Sequence, residues 1–399
     1  MALKQFFLIS CPVKTFILKM TDKNKNHLRK FPSGTVVREA RPEDDAQICA
    51  LIRRNSMSGR ISLTTDCEPS FFSMIEVEGH AHRVAVAQSG REIVGVASMA
   101  RRRIFFNGQP EAFGYLGSLR IDASFRNTTL LARFYKILKK WHKENFGVRF
   151  YLSAIPQDNM IARDTVTTGR AGMPVFHNTG ILYNAAIPLF SRPLPRLPDR
   201  IRIVRGSEVG AGPIADFLNR VGSEKQFFPV YTADDILAAN GILRGLRLDD
   251  FYVALRDEKI TGITACWNQF PFRRIMIADY PWYLQWLRRV SSPLATLLHM
   301  APIPGPGEPL YNANAACIAI ENNDQQIFDL LLKTILHHEH HTGKAFLVVG
   351  LMTGDPLMRA LRNYLHLATR TCVYVMSLDG FEMPNERDGR IPYVEIGSL

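Results

Sequence analysis

The chain has 399 residues, 46% of them hydrophobic and 22% charged, the balance of a soluble globular protein with room for two domains of ordinary size. The formal net charge of +12 favours anionic partners, and its plainest alternative is solubility with basic tails. No zinc-finger spacing or RNA-binding aromatic signature is present, so no nucleic-acid partner is expected. The six cysteines, at positions 11, 49, 67, 266, 317 and 372, are widely scattered, which argues against a disulfide framework and for reduced thiols in a cytoplasmic protein.

Residues 1–34 read as a basic tail. Phe6 to Ile9 are apolar, but Pro12 and Lys14 interrupt the run and no cleavage pattern follows, so no signal peptide is expected. Met20 is an alternative start. From Thr35 a short strand, Val36 to Ala40, leads into Arg41-Pro-Glu-Asp-Asp45 and a helix with Ile48, Leu51 and Ile52 on its buried stripe. Ser58 to Ser70 is polar and reads as an irregular substrate loop. Arg83 to Ala87 and Glu92 to Arg102 alternate as paired strands around a turn at Ser89 to Glu92.

Phe113 to Trp141 is the stretch around which the rest is organised. Tyr115, Leu116, Leu119 and Ile121 predict a strand; Asp122, Ser124, Asn127, Thr128 and Thr129 supply turn and capping chemistry. Leu130, Leu131, Phe134, Ile137, Leu138 and Trp141 then recur at helical spacing, with Arg133, Lys136, Lys139 and Lys140 opposite. A strand feeding a helix through a polar turn aims backbone N–H groups at the space above it, a natural place for phosphate. The simpler reading is an ordinary strand–helix unit with no ligand.

Phe150 to Ile155 predicts a buried strand and Phe176 to Ile187 a closing strand pair. The proline-rich 191–200 reads as a linker. Beyond it, Ile201 to Arg205, Phe251 to Leu255 and Ile260 to Cys266 echo the earlier strand order. Tyr280 to Met300, with Trp282, Tyr283, Trp286, Arg288 and Arg289, suits either a domain-packing segment or peripheral membrane contact. Tyr311 to Ile320 and Phe346 to Leu351 are further strands, around a helix from Ile327 to His341. His337 and His341 stand four apart, as a shared metal would need, yet histidines at a helix C-terminus also complement its dipole; no metal is assigned.

The run Leu119 to Arg126 resembles the fourth strand and following turn of the GNAT acyl-CoA N-acyltransferase superfamily. Arg126 falls on the first position of that family's Arg/Gln-x-x-Gly-x-Gly/Ala phosphate loop, while Thr129 and Leu131 stand where small residues are expected. The Arg41-Pro-Glu-Asp opening and Asn159-x-x-Ala162 are also similar to the family, although Val166 replaces its Tyr. Ala360-x-x-x-Tyr364 matches the Ala-to-Tyr spacing, so the resemblance makes Tyr364 a candidate general acid; a packing role is the alternative.

The resemblance covers roughly residues 35–380. It implies an α/β fold (α+β mixed sheet) of two tandem GNAT-like units: a basic tail 1–34, a first unit 35–190 with the acyl-CoA site, a linker 191–200, a second and degenerate unit 201–385, and a tail 386–399. It implies an N-acyltransferase, most simply an N-acetyltransferase, taking acetyl-CoA or another acyl-CoA to an amine. Leu119, Arg120, Ile121, Arg126, Asn127, Thr128, Thr129, Leu130, Leu131 and Asn159 would hold the CoA, and a strand amide within Leu119 to Ile121 would stabilise the oxyanion. No carboxylate lies between Phe113 and Ile121, so a base must come by water or from Glu111. The alternatives are a degenerate binding or scaffold protein and a membrane-surface enzyme for longer acyl chains.

Overall fold

The computed structural model describes residues 34–56, 62–126, 128–167, 173–282, 304–380 and 388–399. In chain order the strands are β1 (Thr35–Glu39), β2 (Ser62–Asp66), β3 (Ala81–Ser89), β4 (Glu92–Phe106), β5 (Gln109–Ile121), β6 (Tyr151–Pro156), β7 (Phe176–Pro188) and β8 (Ile201–Arg205). The second half adds β9 (Phe251–Arg256), β10 (Lys259–Trp267), β11 (Arg274–Asp279), β12 (Pro309–Leu310), β13 (Asn312–Ile320), β14 (Phe346–Met352) and β15 (Leu367–Met376). The longer helices are α1 (Asp45–Arg54), α2 (Leu130–Trp141), α3 (Met160–Thr167), α4 (Ala211–Gly222) and α5 (Gln325–Glu339).

Alternation and helical periodicity act here as physical chemistry requires. In α2, Leu130, Phe134, Leu138 and Trp141 are buried against the sheet, while the lysines lie on the other side. In α5, Ile327, Phe328, Leu331, Ile335 and Leu336 are fully buried. Burying each such side chain contributes about 1.5–3 kcal/mol, so these two helices are held by packing more than by intrinsic propensity.

Twelve strands form one sheet in the order β1-β3-β4-β5-β6-β15-β7-β14-β13-β10-β9-β8. Neighbours are antiparallel except β5 with β6 and β13 with β14. The order reads the same from both edges: five strands of one half, its partner's last strand, then the mirror arrangement. The two halves have exchanged their closing strands. β7, which ends the first half, bonds to β14 from Phe346–Pro188 through Met352–Leu182, and β15 fills the place beside β6. Phe176 to Pro188 is therefore one long strand, where the sequence suggested a pair, because β15 supplies the second member.

Two further features depart from the sequence reading. Within the expected loop at 58–70, Ser62 to Asp66 is a strand, since its partner β11 lies more than 200 positions downstream and gives no local signal. Asp66 there pairs with both Arg53 at 2.5 Å and Arg274 at 3.2 Å, tying the halves together. Residues 388–399 are not a loose tail: Tyr393, Val394, Glu395 and Ser398 are buried. The 191–200 linker carries neither helix nor strand. Among the described residues no helix is long and apolar enough to cross a membrane. Most of the Tyr280 to Met300 segment, from residue 283 on, lies outside the described residues.

Candidate active site

The site follows from one geometric event in each half. β5 runs parallel to β6 only at Gly114–Tyr151 and Tyr115–Leu152; beyond that point the strands part and open a V-shaped cleft. Gly114 permits this close vertex, since a Cβ there would lie 2.1 Å from the Tyr151 ring. Tyr151 is itself fixed, fully buried with its hydroxyl 2.8 Å from His142 Nδ1.

Just past the vertex β5 carries a β-bulge. Ser98 faces Gly117 and Val96 faces Arg120, so one extra residue is accommodated on β5, and Ser118 adopts φ +52°. A non-glycine residue in the left-handed region is uncommon and marks a locally re-aimed backbone. The bulge falls at Ser118, just before the Leu119 to Ile121 amides expected from the sequence.

Glu78 faces this bulge. It ends a short 3-10 turn, Glu76–Glu78, and Gly79 lets the turn seat against β4: a Cβ at Gly79 would meet the Arg101 carbonyl oxygen at 2.4 Å. Glu78 is buried; its Oε2 accepts from Ser98 Oγ at 2.8 Å and its Oε1 from Ser118 Oγ at 3.3 Å. Burial pushes its carboxyl up to about 7, against the opposing pull of Ser98, Arg273 and Ser118. Burial, and then the Glu78 charge, raise the Tyr115 phenol; burial lowers the Arg120 and Arg273 guanidiniums. Arg273 comes from the second half, so the cluster is shared between the two units. A carboxyl that titrates near neutrality is suited to take a proton from an amine.

The turn after β5 is largely satisfied by itself. Arg126 donates from Nε to the Ile121 carbonyl at 3.2 Å and from Nη2 to Asn55 Oδ1 at 3.0 Å. Thr128 Oγ1 donates to Phe125 O at 2.7 Å and accepts from Leu130 N at 3.3 Å, taking one helix-terminal amide. The Thr129 carbonyl accepts from Arg133 N, with no side-chain cap from Thr129. Leu130 is wholly buried, Leu131 packs against the same core, and Leu119 is exposed on β5. Arg120 Nη1 donates to the Leu119 carbonyl at 2.9 Å. Asn159 caps α3, accepting from Ala162 N at 3.2 Å. Asn127 lies outside the described residues.

The second half repeats the geometry. β13 runs with β14 from Asn312–Phe346 to Ala315–Val349, then parts from it, and a bulge places Cys317 at φ +51°. This cleft is filled by the chain itself. Glu395 Oε2 accepts from Cys317 N at 2.8 Å, the Tyr393 hydroxyl accepts from Ile318 N at 3.2 Å, and Ile396 lies against Gly350. In the turn after β13, Asp324 spends its carboxylate on the Gln326 and Ile327 amides and on Arg256. Tyr364 belongs to this half, where its hydroxyl donates to Asp329 Oδ1 at 2.7 Å. His337 Nδ1 sits 2.6 Å from the Arg192 carbonyl oxygen.

Of the residues the sequence singles out, Leu119, Arg120, Ile121, Arg126, Thr128, Thr129, Leu130 and Leu131 share one strand end and turn, while Asn159 stands on the far side of the cleft and Tyr364 in the other half. Glu78, Ser98, Ser118 and Arg273 were not singled out. Glu78 carries only one local sign, an acid in the short alternating run Ile75 to Glu78.

The strand order, the two splayed parallel pairs and their bulges define a tandem fold of the GNAT type. Among solved structures the chain is similar to a GCN5-related N-acetyltransferase from Sphaerobacter thermophilus, at 13% identity over 92% of this chain and 100% of that one, with a TM-score of 0.54. It is similar also to the N-myristoyltransferase of Saccharomyces cerevisiae with bound myristoyl-CoA, at 9% identity over 87% and 80% of the two chains, TM-score 0.57. A structure of that enzyme with myristoyl-CoA and inhibitors gives a TM-score of 0.58 at 9% identity, over 91% of this chain and 87% of that one. No family model matches the sequence, and no curated protein matches it. The fold of this chain is that of the GNAT superfamily.

Proposed function

We propose that the protein is an acyl-CoA-dependent N-acyltransferase whose reaction runs in the first-half cleft, with Glu78 as general base. The observation that carries this is the buried carboxyl, poised near neutrality, hydrogen-bonded to the bulge residue Ser118 where β5 leaves β6. Pantetheine would lie along Leu116 to Ile121, which has β4 on one side and no described strand on the other. Arg120, Arg126 and the turn to Leu131 would meet the phosphates. The amine gives its proton to Glu78 and attacks the thioester carbon; a bulge amide takes the oxyanion. The C–N bond forms, the C–S bond breaks, and the thiolate takes a proton. Burial raises the Tyr115 phenol and so weakens it as an acid, which leaves the proton that Glu78 has taken as the better matched one to pass to the thiolate. Tyr364, bound to Asp329, would serve only the second half.

The first donor to test is acetyl-CoA, with myristoyl-CoA as the long-chain alternative. Calorimetric titration of the full chain with each, beside Arg126→Ala, checks the reading: micromolar binding weakened in the variant is expected. No binding of either donor would overturn the transferase in favour of a binding or scaffold protein. The hydrogen bonds that Arg126 and Thr128 make within the turn are the observation that favours that second reading.

A further inference from the structure

Beyond the vertex of the first cleft, on the face of the sheet that also carries Ser98, lies a small cavity of about 30 Å³. Its wall includes Phe113, Leu152, Phe227 and Val394, and Tyr115 forms part of it. One charged side chain of the first half reaches this lining. Arg102 on β4 is only 9% exposed, and its Nε and Nη2 are buried without a hydrogen-bond partner. Ser398 Oγ, in the same lining, is likewise buried and unpartnered. Two buried guanidinium nitrogens that find no acceptor among the described residues are costly to keep, so an acceptor entering the cavity would stabilise them.

We propose that this cavity is a carboxylate pocket, in which Arg102 and Ser398 receive a carboxylate carried by one of the substrates of acyl transfer. The inference rests on the transferase reading above. The space is enough for about two water molecules, the scale of one carboxylate group. A guanidinium offers the forked donors that a carboxylate takes bidentately, and the apolar wall suits an aliphatic carrier. Ser98 and Arg102 are four residues apart on one face of β4, about 13 Å along the strand. One substrate could therefore be held at Arg102 while its reacting end lies near Glu78.

Glu395 also lines the cavity and is the obvious rival as counter-ion. Its oxygens are already taken by Cys317 N and the Tyr393 hydroxyl, both at 2.8 Å, by Gly397 N at 3.3 Å and by the Tyr231 hydroxyl at 3.5 Å. Burial holds its carboxyl above the usual range, with Arg102 only a minor opposing influence. Leu399 lines the cavity too, so its terminal carboxylate is a second rival, but Arg102 Nε and Nη2 make no hydrogen bond to it. Tyr115, Tyr231 and Tyr393 are phenols that burial keeps neutral.

The carboxylate can belong to the acceptor or to the acyl group, and two arms separate them. With acetyl-CoA as donor, rates are compared for long ω-amino acids of about ten carbons and their amides. With decanoyl-CoA and its ω-carboxy counterpart, affinities are compared by calorimetry. Wild type, Arg102→Met and Arg102→Lys are run as full chains. A preference for the carboxylate form of about tenfold or more, in one arm, is expected to vanish in Arg102→Met and survive in part in Arg102→Lys. Acetyl-CoA affinity should not change, and the melting midpoint of Arg102→Met should equal or exceed wild type. Carboxylate blindness in both arms with acetyl-CoA still bound overturns the pocket alone. So does a midpoint of Arg102→Met lower by more than about 5 °C, the sign of a structural counter-ion to Glu395. Failure of wild type to bind acetyl-CoA overturns the transferase reading and the pocket together.

Discussion

Ser98 Oγ donates to Glu78 Oε2 at 2.8 Å, joining the middle of β4 to the end of a 3-10 turn twenty residues earlier in the chain. The bond orients the carboxyl so that its other oxygen reaches the bulge at Ser118. Replacing Glu78 with Gln keeps the shape and removes the base. The expected result is a fall in kcat of about 10²–10⁴-fold with acyl-CoA affinity nearly unchanged. In the wild type, kcat/KM should rise with pH through about 7, where Glu78 ionises, and Glu78→Gln should lose that limb. A steady-state pH profile of both proteins checks it.

The same group makes stability depend on pH. Its folded pKa of about 7 stands above the reference value of 4.5. The raised value means that its contribution is fully present below about pH 4.5 and is lost as pH rises through about 7. Glu78→Gln should therefore match wild type near pH 4 and exceed it at pH 8, by up to about 3 kcal/mol. Urea unfolding across that range reads the difference; a variant less stable than wild type at pH 8 contradicts the assignment.

Gly114 holds the vertex of the cleft open to the Tyr151 ring. Gly114→Ala would put a methyl 2.1 Å from Tyr151 Cδ1, and that ring cannot retreat while its hydroxyl is bound to His142. A loss of about 1–3 kcal/mol is expected, the usual cost of overpacking. Thermal denaturation gives the number, and acyl-CoA titration shows whether the cleft has shifted.

In the second half, the Cys317 amide depends on Glu395. Glu395→Ala leaves that buried N–H and the Tyr393 hydroxyl each short of a partner. Each unsatisfied group costs about 1–3 kcal/mol. Glu395→Gln, which can still accept at one oxygen, should recover part of the loss, and a Glu395→Ala midpoint equal to wild type would show that the contact is dispensable.

Much of the fold was legible in the chain order. The alternation around Ser89 to Glu92, the strand–turn–helix from Phe113 to Trp141 and the echo from Ile201 to Cys266 each depend on neighbours in sequence, where local pattern and packing agree. What was not legible depends on distant partners. β2 is a strand because β11 lies beside it, and nothing in its polar residues says so. Glu78 is functional in this reading because Gly79 lets it dock on β4 opposite a bulge, and because Arg273 arrives from the other half. A bulge is a matter of register between two strands, which the residues of Leu116 to Ile121 alone do not reveal.

The exchange of closing strands has a consequence for synthesis. β6 cannot gain its neighbour until β15, at residues 367–376, has been made, and β7 waits meanwhile for β14 at 346–352. The first half thus leaves the ribosome with an incomplete sheet edge, exposed through the making of nearly half the molecule. Such an edge is the kind of surface that attracts wrong partners and chaperones. Stop codons placed between the 191–200 linker and residue 376 should give insoluble product, whereas two fragments divided at that linker should become soluble only when produced together.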